Sequence, residues 1–236
     1  RSERNCYLGY RGTFSECKAR SRAISSELAS LLIQDVEVIG TDGNLIFRQP
    51  HIAGCLIAGM QAGSDVGTPI TFKNVAANGL RHVKKQGTTP SILDQFDSDR
   101  IGHKNQAIDA GLCVLEAPSS GGIRLVVQNT TYQRDASFVF NRVHVLEASN
   151  FIAKNLRRHL EDEFIGEKAK TGTARSIYAF VVNEMRVFLD NDIITGDDEA
   201  PLGFKDLVVT ITGNTASVKV RVKPVQSIDW ILLSIE

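Results

Sequence analysis

The run Leu207-Val208-Val209-Thr210-Ile211-Thr212, the pair Gly213-Asn214 and the run Ala216-Ser217-Val218-Lys219-Val220-Arg221-Val222 decide the fold of the C-terminal part. They read as a strand, a tight turn and a return strand. In the return strand Ala216, Val218, Val220 and Val222 alternate with Ser217, Lys219, Arg221 and Lys223. That period of two gives one apolar face and one basic face. Pro224, with no N–H to donate, stops the ladder, and a third apolar run, Ile228 to Ile235, follows. A chain that closes on an apolar strand has a row of N–H and C=O groups to cover. Enzymes seldom keep chemistry at such an edge, whereas assembling proteins use one to join a neighbour.

Working upstream, Val145 to Phe164 is predicted to be a long amphipathic helix. Leu146, Ile152, Leu156, Leu160 and Phe164 line one side, and Arg157, Arg158, Glu161 and Asp162 lie outside. Gly166 breaks it. Thr171 or Thr173 is expected to cap a second helix through Asp190, with Ile177, Phe180, Val181 and Phe188 on its apolar side. Helices first and strands afterwards is an α+β pattern, so a second domain is expected to start near Tyr132. The chain then divides into residues 1–131 and 132–236.

The first half alternates helices with strands, which predicts an α/β layer architecture. Asn5 to Tyr10 reads as a short strand. Ser15 is the expected N-cap of a helix through Leu32, with Cys17, Ile24, Leu28 and Leu31 on one stripe. Asp35 to Ile39 alternates as a strand, Thr41 to Asn44 is turn chemistry, and Leu45 to Phe47 returns. Pro50 opens a helix through about Ala62 at its first position, and Gly54, Gly59 and Gly63 among Ala53, Ala58 and Ala62 are expected to permit close backbone approach. Asn105 to Ala110 reads as a helix ending at Gly111, followed by strands Leu112 to Leu115 and Ile123 to Val127. Fold class is therefore α/β plus α+β.

The 236 residues carry 27 Lys and Arg against 27 Asp and Glu. Zero net charge argues against general nucleic-acid binding and against a polybasic membrane anchor. The longest apolar candidate, Ile52 to Ala62, falls well short of the ~20 residues that span a bilayer. Cys6, Cys17, Cys55 and Cys113 are scattered without zinc spacing and read as reduced thiols. The chain opens on Arg1, so a fragment or processed product is expected, with its natural N-terminal part missing.

Features that invite chemistry have simpler readings. Gly9-Tyr10-Arg11-Gly12 lacks the third glycine of a dinucleotide loop and reads as a tight turn. His51, His82, His103, His144 and His159 sit beside no nucleophile motif and read as structural or surface residues. The acidic run Asp190 to Glu199 lacks EF-hand spacing and reads as a solvated linker. Lys219, Arg221 and Lys223 carry no interleaved aromatics, which favours a solvated or protein-facing edge over nucleic acid. No catalytic, cofactor-binding or metal residue is assigned.

The final hundred residues resemble the C-terminal domain of contractile-tail sheath proteins of bacteriophages and phage-tail-like particles. The resemblance runs through Phe140-Asn141-Arg142-Val143, Phe164-Ile165-Gly166, Phe188-Leu189, Ile193-Ile194-Thr195-Gly196 and Val222-Lys223-Pro224-Val225-Gln226-Ser227-Ile228-Asp229-Trp230-Ile231. Upstream, Pro50 to Ala62, Ala110 to Leu115 and Ile123 to Val127 resemble the family's central domain, whose fold is subtilisin-like. The resemblance departs between Phe72 and Gly102. It implies a non-enzymatic subunit that stacks in rings around a tail tube and contracts to drive the tube through the bacterial envelope. It also implies an N-terminal arm that this chain lacks, and so a monomer.

The partners implied are other copies of the chain, the tail tube protein, and baseplate and tail terminator proteins, with no nucleic acid, membrane insertion or cofactor. The implied location is the virion tail, assembled in the host cytoplasm. The subunit interface implied comprises Leu207, Val209 and Ile211 of the first run, and Val218, Lys219, Val220, Arg221, Val222 and Lys223 of the second. Ile228, Trp230, Ile231, Leu233 and Ile235 of the third run complete the strands, and Arg157, Arg158 and Glu161 supply a charged helix face. Two competitors stand beside this reading: an α/β hydrolase-like enzyme in the first domain, and a module binding an acidic partner through the basic edge.

Overall fold

The computed structural model describes residues 5–75, 80–83, 102–116, 123–135, 138–168, 170 and 172–226. The chain divides into two compact units, one ending at Leu146 and the other spanning Glu147–Gln226. Among the described residues, no helix is long and apolar enough to cross a membrane.

The first unit opens with strand β1 (Cys6–Gly9), helix α1 (Phe14–Ile24) and strand β2 (Ala29–Leu32). The single helix expected over Ser15 to Leu32 is therefore corrected. Thr13, not Ser15, is the N-cap: its hydroxyl accepts from the Glu16 N–H at 3.3 Å, and the Glu16 carboxylate accepts from the Thr13 N–H at 2.7 Å. This reciprocal pair satisfies two donors that the first turn leaves over. Ser25 ends the helix in the left-handed region at φ 37°. All four residues of β2 are buried, so the strand shows no alternation and continues the helix's apolar stripe. A strand buried on both faces has no period-two signal to read.

Strands β3 (Val36–Ile39) and β4 (Leu45–Arg48), helix α2 (Pro50–Ala62), strand β5 (Leu80–Val83) and helix α3 (Gly102–Asp109) come next. Short strands β6 (Leu112–Cys113), β7 (Leu115–Glu116) and β8 (Arg124–Leu125) complete the sheets, and a helical turn, α4 (Phe138–Asn141), follows. The expected strands Leu112 to Leu115 and Ile123 to Val127 are thus shorter than their apolar runs, the first being interrupted at Val114. β1, β2 and β6 form a parallel sheet in the order β1-β2-β6. β3 pairs antiparallel with both β4 and β5. β5 lies within the stretch that sequence left unplaced, and residues 84–101 are outside the described ones.

Leu31, Leu32, Ile57, Leu112, Leu115 and Leu125 are each 1 % exposed or less and anchor one core. α2 lies so close to β1 that a Cβ on Gly9 would sit 2.2 Å from the His51 backbone nitrogen. Only glycine fits there, so the tight turn expected from Gly9 to Gly12 is corrected at its start: Gly9 is the last residue of β1, and the Tyr10 N–H continues the ladder to the Leu32 carbonyl at 2.9 Å. Polar side chains inside this unit are tied to backbone. Gln34 donates to the Leu115 carbonyl at 2.8 Å and accepts from the Leu115 N–H at 2.6 Å, and Ser30 donates to the Asn129 carbonyl at 2.7 Å. Buried amides and hydroxyls are costly unless so paired. Burial pushes the Cys113 thiol up to about 11, so it is a protonated core side chain.

Helix α5 (Val143–Phe164) leads into the second unit, which continues with helix α6 (Thr173–Asp190) and strands β9 (Phe204–Thr212) and β10 (Thr215–Val222). Gly172, without a side-chain hydrogen bond, occupies the N-cap of α6. The expected Thr173 cap is corrected: its hydroxyl accepts from the Lys170 N–H at 2.8 Å, and Thr171 lies outside the described residues. Ile152, Leu156, Ile177, Val181, Met185 and Phe188 form the unit's core. Phe151 and Phe188 meet edge-to-face at 6.2 Å, and Phe164 and Phe180 at 5.6 Å. Such pairs add about 0.5–1.5 kcal/mol beyond their burial.

Candidate self-assembly surface

β9 and β10 form a two-stranded antiparallel ribbon. Thr212 pairs with Thr215, so Gly213-Asn214 is the whole turn, and Gly213 takes φ 62° as that turn demands. Leu207, Val209 and Ile211 on β9, and Val218, Val220 and Val222 on β10, are half-buried and pack on the second core. Lys219 and Arg221 face outward, exposed, beside Val208.

The two ribbon edges differ. In an antiparallel pair successive residues aim their N–H and C=O groups alternately at the partner strand and away from it. The Lys223 N–H donates to the Gly203 carbonyl at 2.9 Å, on the β9 side. Stepping back by twos, Arg221, Lys219, Ser217 and Thr215 also face β9. Val222, Val220, Val218 and Ala216 therefore aim their backbone groups at the outer edge, which no described strand covers. This edge is unbroken over β10. β9 is interrupted: Lys219 pairs with Val208 and Arg221 with Lys205, so Asp206 and Leu207 together oppose Val220. Asp206 sits at φ 56°, the left-handed conformation of a bulge.

This bulge was missed by sequence reading, yet it has a signal. Leu207, Val209 and Ile211 keep a step of two, whereas Phe204 to Leu207 is a step of three. Beyond β10, Pro224 bridges to Ile194. The Thr195 N–H donates to the Lys223 carbonyl at 2.9 Å, and the Val225 N–H donates to the Ile193 carbonyl at 3.1 Å. The acidic run is thus not wholly solvated: Ile193 and Ile194 inside it are buried. Gly203, at φ 75°, lets the chain pass over Ile194, whose Cδ1 would lie 2.9 Å from any Cβ there.

The basic strip is partly neutralised within the chain. Arg221 Nη1 lies 3.2 Å from Asp206 Oδ2, and Lys223 pairs with Asp197. That Lys223 hydrogen bond, with those from the Ala200 and Glu199 N–H groups, holds the Asp197 carboxyl below the ordinary range. Arg157, Arg158 and Glu161 lie exposed on α5, away from the ribbon residues in sequence. Ile228, Trp230, Ile231, Leu233 and Ile235 lie outside the described residues. Structure therefore brings the first two strand runs together as one ribbon. Among the described residues, no group of three His, Cys, Asp or Glu is placed to hold a metal ion.

No profile of a known protein family matches the sequence. The chain is 27% identical over 212 residues to the tail sheath protein of Bacillus phage SP01, covering 86% of this chain and 34% of that one. It is 26% identical over 196 residues to a putative tail sheath protein of Enterococcus phage phiEF24C, covering 82% and 31%. The chain thus spans about a third of the length of these curated relatives. Among solved structures it is similar in fold to the sheath tail protein of Desulfitobacterium hafniense, with TM-score 0.65, 18% identity, and coverage of 95% of this chain and 46% of that one. It is also similar to the PVC sheath complex of an extracellular contractile injection system in the contracted state, with TM-score 0.68, 15% identity, and coverage of 97% and 62%. These structures match its fold along nearly its whole length, and with the phage relatives they make the chain similar to contractile-tail sheath proteins.

Proposed function

We propose that this chain is part of a non-enzymatic sheath subunit whose copies join through main-chain pairing at the outer edge of β10. The single observation that carries this reading is that edge: four successive outward residues, Ala216, Val218, Val220 and Val222, with no described strand beside them. Hydrogen bonds to an added strand demand geometry but tolerate sequence, so identical links can repeat through a lattice. The β9 bulge twists its own edge away, the common device against uncontrolled pairing. Strand entry is therefore assigned to β10.

In this reading residues 132–236 form the linking domain and residues 1–131 the central domain, a layered subtilisin-like fold carrying structure without hydrolysis. Subunits stack as rings around a tail tube, meet baseplate and terminator proteins at the ends, and assemble in the host cytoplasm. Contraction is then a rigid-body rearrangement of subunits held together by their strand links. The exposed charges Arg157, Arg158 and Glu161 exchange partners during it. Each such pair contributes only ~0–1 kcal/mol, so the transition needs many subunits moving together.

Val220→Pro in the full-length subunit tests this. It removes an N–H that faces away from β9, and proline is tolerated on the solvent side of an edge strand. The variant is expected to keep its circular dichroism and melting profile but to form no tubes under negative stain. Lys219→Pro is the control, since it removes a donor that faces β9 and is expected to damage the ribbon itself. Normal contractile tubes from folded Val220→Pro overturn the assignment.

A further inference from the structure

The outward face of α5 carries two blocks of opposite charge. Lys154, Arg157 and Arg158 are exposed first, and Glu161, Asp162 and Glu163 follow, also exposed. Arg157 and Glu161 are four apart and share one flank of the helix, as Arg158 and Asp162 share the other. Among the described residues neither couple closes into an ion pair. Arg158 meets the ring of His159, Nη2 to Nε2 at 3.2 Å, and that ring turns to α6, its Nδ1 2.7 Å from Glu184 Oε2. Both placements run against the preferences of a lone helix. A cation N-terminal to its carboxylate is the weaker order at this spacing. Carboxylates beside the C-terminal end oppose the helix dipole. Local rules of this kind are broken where a surface serves a function.

We propose that this face binds the same face of a second copy, with the two α5 helices antiparallel about a two-fold axis level with His159 and Leu160. Such an axis lays each flank of the helix against the same flank of its mate, with direction reversed. Arg157 then meets Glu161 of the second copy and Arg158 meets its Asp162, and the symmetry makes each contact twice. The charges are thus complementary to their own image, and each acidic end lies beside the mate's basic block. Ile165 is 74% exposed and is held in the last turn by its N–H to the Glu161 carbonyl at 3.1 Å. The axis brings it beside Lys154 of the second copy, whose methylene stem covers it. A two-fold contact closes on itself, so it makes a dimer and nothing larger. It shares no residue with the outer edge of β10 and does not rest on strand linkage.

Analytical ultracentrifugation of the whole chain tests this. A dimer is expected in low salt, and it is expected to dissociate at about 1 M salt, where charges are screened within ~3 Å. The acidic variant, Arg157→Glu with Arg158→Glu, and the basic variant, Glu161→Arg with Asp162→Arg, are each expected to be monomeric. An equimolar mixture of the two is expected to recover the dimer, because every contact across the axis again joins opposite charges. A parent chain that stays monomeric, a dimer indifferent to salt, variants that dimerise as the parent does, or a mixture that stays monomeric overturns the proposal. The salt series uses the parent chain alone, so it decides even where a variant fails to fold. A dimer joined through β10 survives both variants, which tells the two surfaces apart.

Discussion

Arg221 on β10 reaches Asp206 on β9, Nη1 to Oδ2 at 3.2 Å, across the point where the ribbon's register slips. Both side chains are largely exposed, at 76% and 58%, so the pair itself is worth ~0–1 kcal/mol. The backbone of Asp206 matters more. Its φ of 56° is mildly unfavourable for aspartate and severely so for a β-branched residue. Asp206→Gly is expected to leave stability within about 1 kcal/mol, since relief of strain offsets the lost pair. Asp206→Val is expected to cost about 1–3 kcal/mol. Urea denaturation of the chain checks both, and equal losses for Gly and Val would mean that the side chain, not the bulge, is what counts.

The second unit has few large core residues, so each one matters. Phe188 is 4% exposed and meets Phe151 edge-to-face. Phe188→Ala is expected to cost about 3–5 kcal/mol, the usual penalty for a buried ring replaced by a cavity. Tyr178 lies on the same helix but is 46% exposed. Tyr178→Ala is expected to change stability by less than about 1 kcal/mol. Thermal melts that failed to separate the two would place the core on the wrong face of α6.

Elements that announce themselves locally were legible. Pro50 starts α2, Gly111 closes α3 at φ 67°, and Gly213-Asn214 turns the ribbon. The alternation of Val218, Val220 and Val222 identified the face that packs on the second core. What stayed hidden depends on tertiary context. β2 looks helical because both its faces are buried. Thr13 to Glu16 carried a capping signature, but Ser15 sits nearer the apolar stripe and took its place. At the candidate site the two runs of the ribbon are visible in the sequence, whereas the bulge at Asp206 shows there only as a step of three from Phe204 to Leu207. The His159–Glu184 contact joins residues on different helices, and no spacing in one chain segment can signal it.

Two glycines in the first unit separate packing from propensity. A Cβ at Gly9 would stand 2.2 Å from one backbone atom of α2 and 2.7 Å from another, and backbone cannot swing aside. A Cβ at Gly59 meets nothing within 4 Å. Gly9→Ala is expected to lose about 2–3 kcal/mol or more through forced separation of α2 from β1. Gly59→Ala, inside a helix, is expected to gain about 0.5–1 kcal/mol. Opposite shifts in melting temperature are the outcome to look for, and a gain for both would show that α2 is not seated against β1 as described.

Glu116 is the group expected to report on acid. It is 7% exposed and pairs with both Lys104 and Arg124, tying α3 to the β7–β8 hairpin. Burial pushes its carboxyl up, but hydrogen bonds from Lys104 and Arg124, with their charges, outweigh that and hold it below the ordinary range. A carboxyl depressed in the folded chain contributes stability that is fully present above its unfolded value, near about 4.3. That contribution is lost as pH falls through the folded value, so Glu116 should steepen acid unfolding below about pH 4 and leave neutral pH untouched. Glu116→Gln removes the linkage and leaves two cations without their shared partner. The variant is expected to be less stable at pH 7, and its disadvantage to shrink progressively between about pH 4 and pH 2. Stability curves that stay parallel down to pH 2 would show that the carboxylate is not coupled to folding through its charge.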